Sequence, residues 1–527
     1  MSAAFPARDL IAVLFTFAIL LVVWTVRQSR FSSELIACIP GPRSKSWIFG
    51  NMLDLLLTKE YGEHEFKWLQ KYGPVYSVKG YFGEHRLMVS DPSTLKYILS
   101  SPRFAMGHSQ RKTTILLFGK DNMLIRNGES HRHIRNIINP WFSSKNVRLA
   151  LPAIRENVRK VIDLWEAQGV PGNTFDISQT LHNSALDIMG DALLEYRFDA
   201  LTGQSELSKI QRTILDSASS PTELGQLADA TLSYIPDAVV RWASHLPIPS
   251  MQVVKTYQGL TKALSSHLVQ QKRETAAVGA DHSLIGHLTG LNTTDSSTGV
   301  PDEEIPIHLR TLLVGGGDTV ASAIGWTLYK IAQMEGLQQE LRNEIQSASG
   351  NGLDDLDYDN MPFLNAIINE VLRLFAPFPL AERVATEDCI LPLSHPVVTT
   401  TGRLISEIPI KKGQPIFVAI SAYHRLTSIW GADALEFRPS RWFEEEPCKG
   451  SALGPHRSLL TFLAGPHVCP GWRFALLEIQ VFVTEIVHKF VLSLPDNDSA
   501  RPSVAVTLVS KTADGVQQLP IHIEAVV

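Results

Sequence analysis

The chain of 527 residues is 44% hydrophobic and 19% charged, with a net charge of −5; it can bury a large core, which excludes the disordered and fibrous classes. With neither a basic excess nor a basic stripe, it does not look like a nucleic-acid binder, because neutralising phosphates needs one or the other. Its four cysteines, Cys38, Cys389, Cys448 and Cys469, form no C-x-x-C or Cys/His zinc spacing, so neither a disulfide framework nor a zinc site is supported and a reducing compartment fits best.

The first readable segment is LIAVLFTFAILLVVWTV, from Leu10 to Val26. It is uncharged and almost wholly apolar over about 17 residues, near the lower limit for a membrane-spanning helix. Arg8 precedes it, whereas Arg27, Arg30, Arg43 and Lys45 follow, so the positive-inside rule leaves the bulk of the chain in the cytoplasm. A cleaved signal peptide is the alternative, against which stand the weakly basic start and the lack of an A-x-A site. Pro40, Gly41 and Pro42 then make a stiff segment that cannot continue a helix. The expected organisation is an anchor over 1–30, a Pro-rich hinge over 31–50 and a globular body over 51–527.

Most of the body from Asn146 to Gln346 carries apolar residues at helical spacing, as in ALPAIRENVRKVIDLWEAQG and TYQGLTKALSSHLVQQKRETA. A polar Gly/Ser/Thr/Asp loop, Gly290 to Glu304, interrupts it and contains the sequon Asn292-Thr293-Thr294, which would go unused in the cytoplasm. Beyond Leu391, VVTTTGRLISEIPIKKGQPIFVAIS and VAVTLVSKTADGVQQLPIHIEAV read as hairpins. The fold class is therefore mainly α with a smaller β-rich part.

Near the end lies FLAGPHVCPG, Phe462 to Gly471, followed by GWRFALLEIQVFVTEIV, which is apolar nearly all round. That pattern marks a buried helix, with Pro470 suited to its first position. Cys469, just outside the N-terminus, would feel the positive end of the helix dipole and free backbone amides, both favouring thiolate. Gly465 and Gly471 let the backbone come close to something flat. The thiolate would be a nucleophile with His467 as its base, or a soft metal ligand; an inert structural cysteine is the remaining alternative.

The pattern F-x-x-G-x-H-x-C-x-G, with Phe462, Gly465, His467, Cys469 and Gly471 in register, resembles the haem-binding signature of cytochrome P450 enzymes. The resemblance implies an axial Cys469 thiolate on haem b and makes three demands elsewhere. A helix across the oxygen side is met by TLLVGGGDTVASAIGWTLYKIA, Thr311 to Ala332. Three helical glycines cost roughly 1 kcal/mol each against alanine, and the family gives the reason: a bulged groove beside the cofactor, lined by Gly316, with Asp318 and Thr319 handling oxygen and protons. On its own the stretch reads equally as a glycine loop with Asp318 or Thr319 as N-cap. An E-x-x-R pair is met by Glu370 and Arg373, and a third partner by Arg441 in FRPSRW; together they imply a buried charged network. Groups for the two haem propionates are implied at His131 and Arg135 in HRHIR, at His467, and at Arg383. Histidines at 131 and 467 depart from the tryptophan and arginine usual in the family.

These motifs run in family order along essentially the whole chain. The resemblance implies a cytochrome P450 fold over 51–527, the haem-thiolate catalytic domain, preceded by the transmembrane helix. It implies a monooxygenase that inserts one oxygen atom from O2 into a lipophilic substrate, of the kind fungal members use to tailor terpenoids and other secondary metabolites. Nothing in the sequence resembles a flavin or iron–sulfur domain, so electrons are expected from NADPH through a separate membrane-bound reductase meeting the Arg132 and Arg148 neighbourhood. The pocket wall is expected from Phe104 to Phe118, Val314 to Thr319 and Pro377 to Ala381. The anchor implies the endoplasmic reticulum membrane with the catalytic domain on the cytoplasmic side. The rivals are a haem-thiolate enzyme that rearranges or dehydrates its substrate without O2, against which the Asp318-Thr319 pair argues, and a haem-binding sensor or carrier without turnover.

Overall fold

The computed structural model describes residues 34–526 apart from 59, 169–172, 220–221, 238, 241–248, 276–282, 292–298, 351, 451–452, 496–499 and 506. The apolar run at 10–26 and the sequon at Asn292 to Thr294 lie outside the described residues. Among the described residues no helix is long and apolar enough to cross a membrane.

The longer helices are α1 (His108–Phe118), α2 (Gly128–Ile138), α3 (Leu151–Ala167), α4 (Ser178–Met189), α5 (Glu206–Ser219), α6 (Pro249–Thr275), α7 (Ile305–Gln333), α8 (Glu335–Ala348), α9 (Pro362–Leu374) and α10 (Trp472–Lys489). In α3 a proline sits in the first turn, where its missing N–H is harmless, and Ile154, Val158, Val161, Ile162 and Trp165 form one buried stripe. The organising element is α7. Its 29 residues begin with a first-turn proline, are buried along both ends, and reach about 43 Å at 1.5 Å per residue. It packs against α4, α6, α8, α9 and α10. Because α7 is helical without a break through Gly315, Gly316 and Gly317, Asp318 and Thr319 are interior helical residues and not an N-cap. The expected bulge does not interrupt the helix either.

The strands are β1 (Val75–Lys79), β2 (His85–Val89), β3 (Phe104–Met106), β4 (Asn173–Asp176), β5 (Leu380–Ala385), β6 (Cys389–Val398), β7 (Leu404–Ile410), β8 (Pro415–Ala419), β9 (Phe490–Ser493), β10 (Arg501–Val504), β11 (Leu508–Lys511) and β12 (Pro520–Ala525). The largest sheet has the order β1-β2-β8-β5-β3, with β2 and β8 parallel and the other pairs antiparallel. The first hairpin expected after Leu391 forms as β6–β7; the second, expected within Val504 to Val526, does not, because β11 pairs back onto β10, which lies upstream of that segment apart from Val504. Each expected hairpin segment also holds a strand that leaves it. PIFVA becomes β8, buried along its whole length in the large sheet, and PIHIEA becomes β12, which pairs with β4 and β9. Burial decides both cases: β12 places Ile521 and Ile523 at 0% exposure, which a free-standing hairpin cannot do.

Candidate functional site

The cysteine loop is built by local hydrogen bonds and one obligatory glycine, Gly465, with a second glycine at Gly471. The turn Leu460–Phe462 presents the Phe462 carbonyl, which accepts the Cys469 N–H at 2.9 Å, while Val468 N–H donates to Gly465 at 3.1 Å. Gly465 has φ +69°, and a Cβ there would stand 2.1 Å from the Leu99 carbonyl oxygen; only glycine fits. Gly471 is the N-cap of α10 and faces the Phe142 ring, 3.3 Å from where its Cβ would be. Pro470 therefore precedes the helix instead of opening it. Phe462 is buried, with its ring 6.5 Å from that of Trp472.

The expected low thiol pKa of Cys469 is not what the protein alone produces. Burial pushes the thiol up, and this outweighs the Gly471 N–H donated to sulfur and the Arg135 guanidinium, which both pull it down. A helix N-terminus is worth about 0.3–1 kcal/mol, whereas desolvation shifts buried groups by up to several units. A raised thiol pKa disfavours the nucleophile reading and leaves an inert structural cysteine or a metal ligand, whose bound cation would deprotonate the thiol outright. Among the described residues no group of three or more His, Cys, Asp or Glu could hold a metal ion by itself.

Four basic groups gather beside this loop. His131 and His467 stack with ring centroids 4.1 Å apart, and His467 Nε2 lies 3.1 Å from Asn127 Oδ1. Arg135, on α2, donates to the Val468 carbonyl at 2.8 Å. Arg383, on β5, donates to the Glu382 carbonyl at 3.0 Å. Burial first, and then His131, Arg383 and Arg135, push His467 down to about 3; burial and Arg135 push His131 down to about 4. Burial also brings Arg383 down to about 10 and lowers Arg135. None of the four makes an ion pair to a carboxylate among the described residues. Two buried arginines and two histidines that burial keeps neutral, all able to donate hydrogen bonds beside a candidate ligating sulfur, fit a metal cofactor carrying acidic side groups, as haem does.

On α7 the middle turn is open where the rest is buried. Gly315 is exposed, with nothing within 4 Å of a Cβ built on it, and the Thr319 hydroxyl donates to the Gly315 carbonyl at 2.7 Å. Gly316 does not line this gap: a Cβ there would meet Met189 Sδ of α4 at 2.5 Å, so its smallness serves helix packing and Gly315 is the glycine that faces open space. Asp318 Oδ1 lies 2.6 Å from His182 Nδ1 of α4. An apolar cavity of about 190 Å³ reaches Asp318, walled by Thr113, Leu117 and Phe118 of α1, Ile214 of α5, and Leu313 and Val314. Two of the three expected wall segments meet there; Pro377 to Ala381 is not part of its lining.

Glu370 and Arg373 are 0% exposed and Arg441 is 1% exposed. Arg373 Nε and Nη2 donate to Glu370 at 2.9 and 2.8 Å, and Arg441 Nε donates to it at 3.0 Å. The Arg438 backbone N–H and Trp442 Nε1 donate to the same carboxylate at 2.8 and 3.1 Å. Arg373 also donates to the His424 carbonyl at 2.7 Å. His424 Nε2 accepts the Leu460 N–H at 2.9 Å, which ties the network to the cysteine loop.

Sequence reasoning missed His182, and it placed Gly315 only within the Val314 to Thr319 wall without separating it from Gly316. A lone histidine in LHNSALDIM carries no signal by itself, and Gly315 was one of three equivalent letters.

A family model described as Cytochrome P450 matches residues 40–516. The chain is 30% identical over 534 aligned positions to Cytochrome P450 monooxygenase 91 of Postia placenta, covering 96% of this chain and 97% of that protein. It is 28% identical to Cytochrome P450 monooxygenase 205 of the same organism, covering 96% of each. To Cytochrome P450 monooxygenase claP of Ampulloclitocybe clavipes it is 26% identical, covering 88% of each.

Proposed function

The chain belongs to the cytochrome P450 family, and on that footing we propose that it is a membrane-anchored monooxygenase acting on a lipophilic substrate, a terpenoid or other secondary metabolite. Its haem, held by the Cys469 thiolate and supplied with electrons by a reductase using NAD(P)H, supplies the chemistry by which one atom of O2 enters the substrate and the other leaves as water.

The chain's own residues do the rest. Cys469 binds the iron from a loop whose shape Gly465 and Gly471 fix. His131, Arg135, His467 and Arg383 would hold the acidic side groups of the cofactor, the arginines as cations and the histidines as neutral hydrogen-bond donors. Thr319 and Asp318 hold and move protons at the open turn of α7, each from its own side-chain oxygen. The Glu370 network keeps the cysteine loop in place from behind.

The observation that carries the substrate reading is the apolar cavity bounded by α1, α5 and α7, which ends at Asp318. A site with one carboxylate and a wall of Leu, Ile, Val and Phe favours an apolar body and excludes water. Incubating reductase-supplemented membranes with a panel of lipophilic metabolites, followed by mass spectrometry, tests it: a product heavier by one oxygen supports the reading, and turnover confined to polar compounds overturns it.

The partner is a membrane-bound NADPH-dependent reductase docking on the face that bears Arg132 and Arg148. Arg132 is exposed, as are Gly465 and Pro466 of the cysteine loop. The apolar run from Leu10 to Val26 supports an anchor in the endoplasmic reticulum membrane with the catalytic domain in the cytoplasm. Release of the full-length protein by alkaline carbonate washing would count against that anchor.

A further inference from the structure

Helices α4 and α7 pack against each other, and their contact contains a bonded pair that sorts two kinds of space. His182 Nδ1 and Asp318 Oδ1 are 2.6 Å apart, with 6% and 15% of their side chains exposed. Both residues line the apolar cavity. Both also line a second cleft, of about 70 Å³, whose other walls include Ser178, Arg212, Ser322, Ser510 and Gln517. The pair is thus a partition between a cleft of mixed lining, which also includes Leu181, Leu215, Trp326 and Leu519, and the apolar cavity. The cleft has room for about two waters at ~30 Å³ each.

The second ring nitrogen is the informative atom. His182 Nε2 is buried and has no hydrogen-bond partner, an arrangement that costs free energy unless something polar reaches it. With Nδ1 turned to Asp318 at 2.6 Å, a water held by the serines and Gln517 of the mixed cleft is the partner the structure offers. The other ionisable groups nearby do not compete as relays. Arg212 is tied to Asp216 at 2.8 Å, and burial raises the Tyr257 hydroxyl so that it keeps its proton.

We propose that His182 is the positioning and relay residue that feeds protons to Asp318 from the mixed cleft. A solvent proton enters at Nε2 as the Nδ1 proton leaves for the Asp318 carboxylate, so the ring ends neutral as it began, and Asp318 carries the proton to the open turn of α7. The inference rests on the reading that Asp318 delivers protons during turnover.

The test uses the full-length haem-loaded protein with reductase, following NADPH-driven O2 consumption and hydrogen peroxide release, together with a crystal structure. A crystal structure should show an ordered water bonded to Nε2; a dry nitrogen overturns the relay. In mixtures of H2O and D2O the wild-type rate should fall along a curve, because more than one proton moves; a straight line overturns it. H182N keeps a donor where Nδ1 sits but has no second nitrogen, so O2 consumption should drop at least about ten-fold, within the range acid–base groups contribute, while the reduced-CO spectrum is kept. Wild-type rates in H182N reduce the histidine to an orienting role and overturn the proposal. D318N separates the two readings: if it is impaired and H182N is not, only the relay fails, whereas if D318N is unimpaired the assignment of Asp318 fails with it.

Discussion

Replacing Glu370 by alanine should destabilise the protein and loosen its cofactor together. The carboxylate accepts from Arg373, Arg441, Trp442 and the Arg438 backbone, and it is wholly buried. Summing each charged hydrogen bond at about 1.5–3 kcal/mol overshoots, because the guanidiniums keep other partners. Arg373 retains the carbonyls of His424, Ala434 and Glu436, and Arg441 retains Asp433 and the Trp430 carbonyl. What is lost is the shared counter-charge of two buried cations, for which breaking a buried pair costs roughly 3–5 kcal/mol. Larger chains shift less in Tm per kcal/mol, so at this length the drop should be about 5 °C. The path Glu370, Arg373, His424, Leu460 ends at the turn whose Phe462 carbonyl holds the Cys469 N–H, so haem absorbance per protein should fall as well. Thermal unfolding followed by circular dichroism, with haem content measured in parallel, reads both effects. Arg132→Ala is the control. Its ion pair to Glu129 is exposed, and such pairs contribute under about 1 kcal/mol. A Glu370→Ala protein that melts with the wild type and keeps its haem would refute the reasoning.

Cys469→Ser should abolish the thiolate-type reduced-CO spectrum, and an unchanged spectrum removes Cys469 as the ligand. Thr319→Ala should keep its haem but divert electrons to peroxide; tightly coupled product formation in that variant counts against its proton role. Gly315→Ala meets nothing within 4 Å, so it should raise stability by up to about 1 kcal/mol through helix propensity while lowering turnover, since its methyl enters the open gap; unchanged turnover would show that the gap is not used. His456 is pushed from 6.5 down to about 4 by burial and then Arg457. As pH drops from 6.5 toward 4 the unfolded chain therefore takes up a proton that the folded chain refuses, and stability falls. His456→Gln should flatten that part of the curve of Tm against pH, and an unaltered slope would deny His456 its share.

What the sequence made legible follows from how each feature is encoded. The cysteine loop is contiguous, and its glycines answer to local geometry, so Phe462, Gly465, Cys469 and Gly471 were readable as a unit. Glu370, Arg373 and Arg441 are individually ordinary; only their concurrence with the loop pointed to one buried network. The choice between Gly315 and Gly316 depends on which face of α7 meets Met189, and helix phase relative to a neighbour is not written in three identical letters. The thiol of Cys469 failed for a different reason. The dipole and amide contributions are local and visible in sequence, but desolvation depends on the whole surroundings and is the larger effect. His182 lies far upstream of Asp318 in the chain, and their meeting is a product of how α4 crosses α7.

Three features of the candidate site share a physical character: each is unfavourable in the protein taken alone. Desolvation raises the thiol pKa, two arginines and two histidines crowd together in partial burial, and the central turn of the longest helix opens onto a gap where its ends are packed. Evolution of stability alone would remove each of them, by a counter-charge, a larger side chain or a solvated cysteine. A single ligand would relieve all three at once: a metal would deprotonate the sulfur, acidic side groups would pair with the arginines, and a flat cofactor would fill space beside the open turn. Folding and haem binding are therefore thermodynamically linked in this chain, and the protein gains stability as haem saturates it in proportion to the logarithm of its free concentration over the dissociation constant.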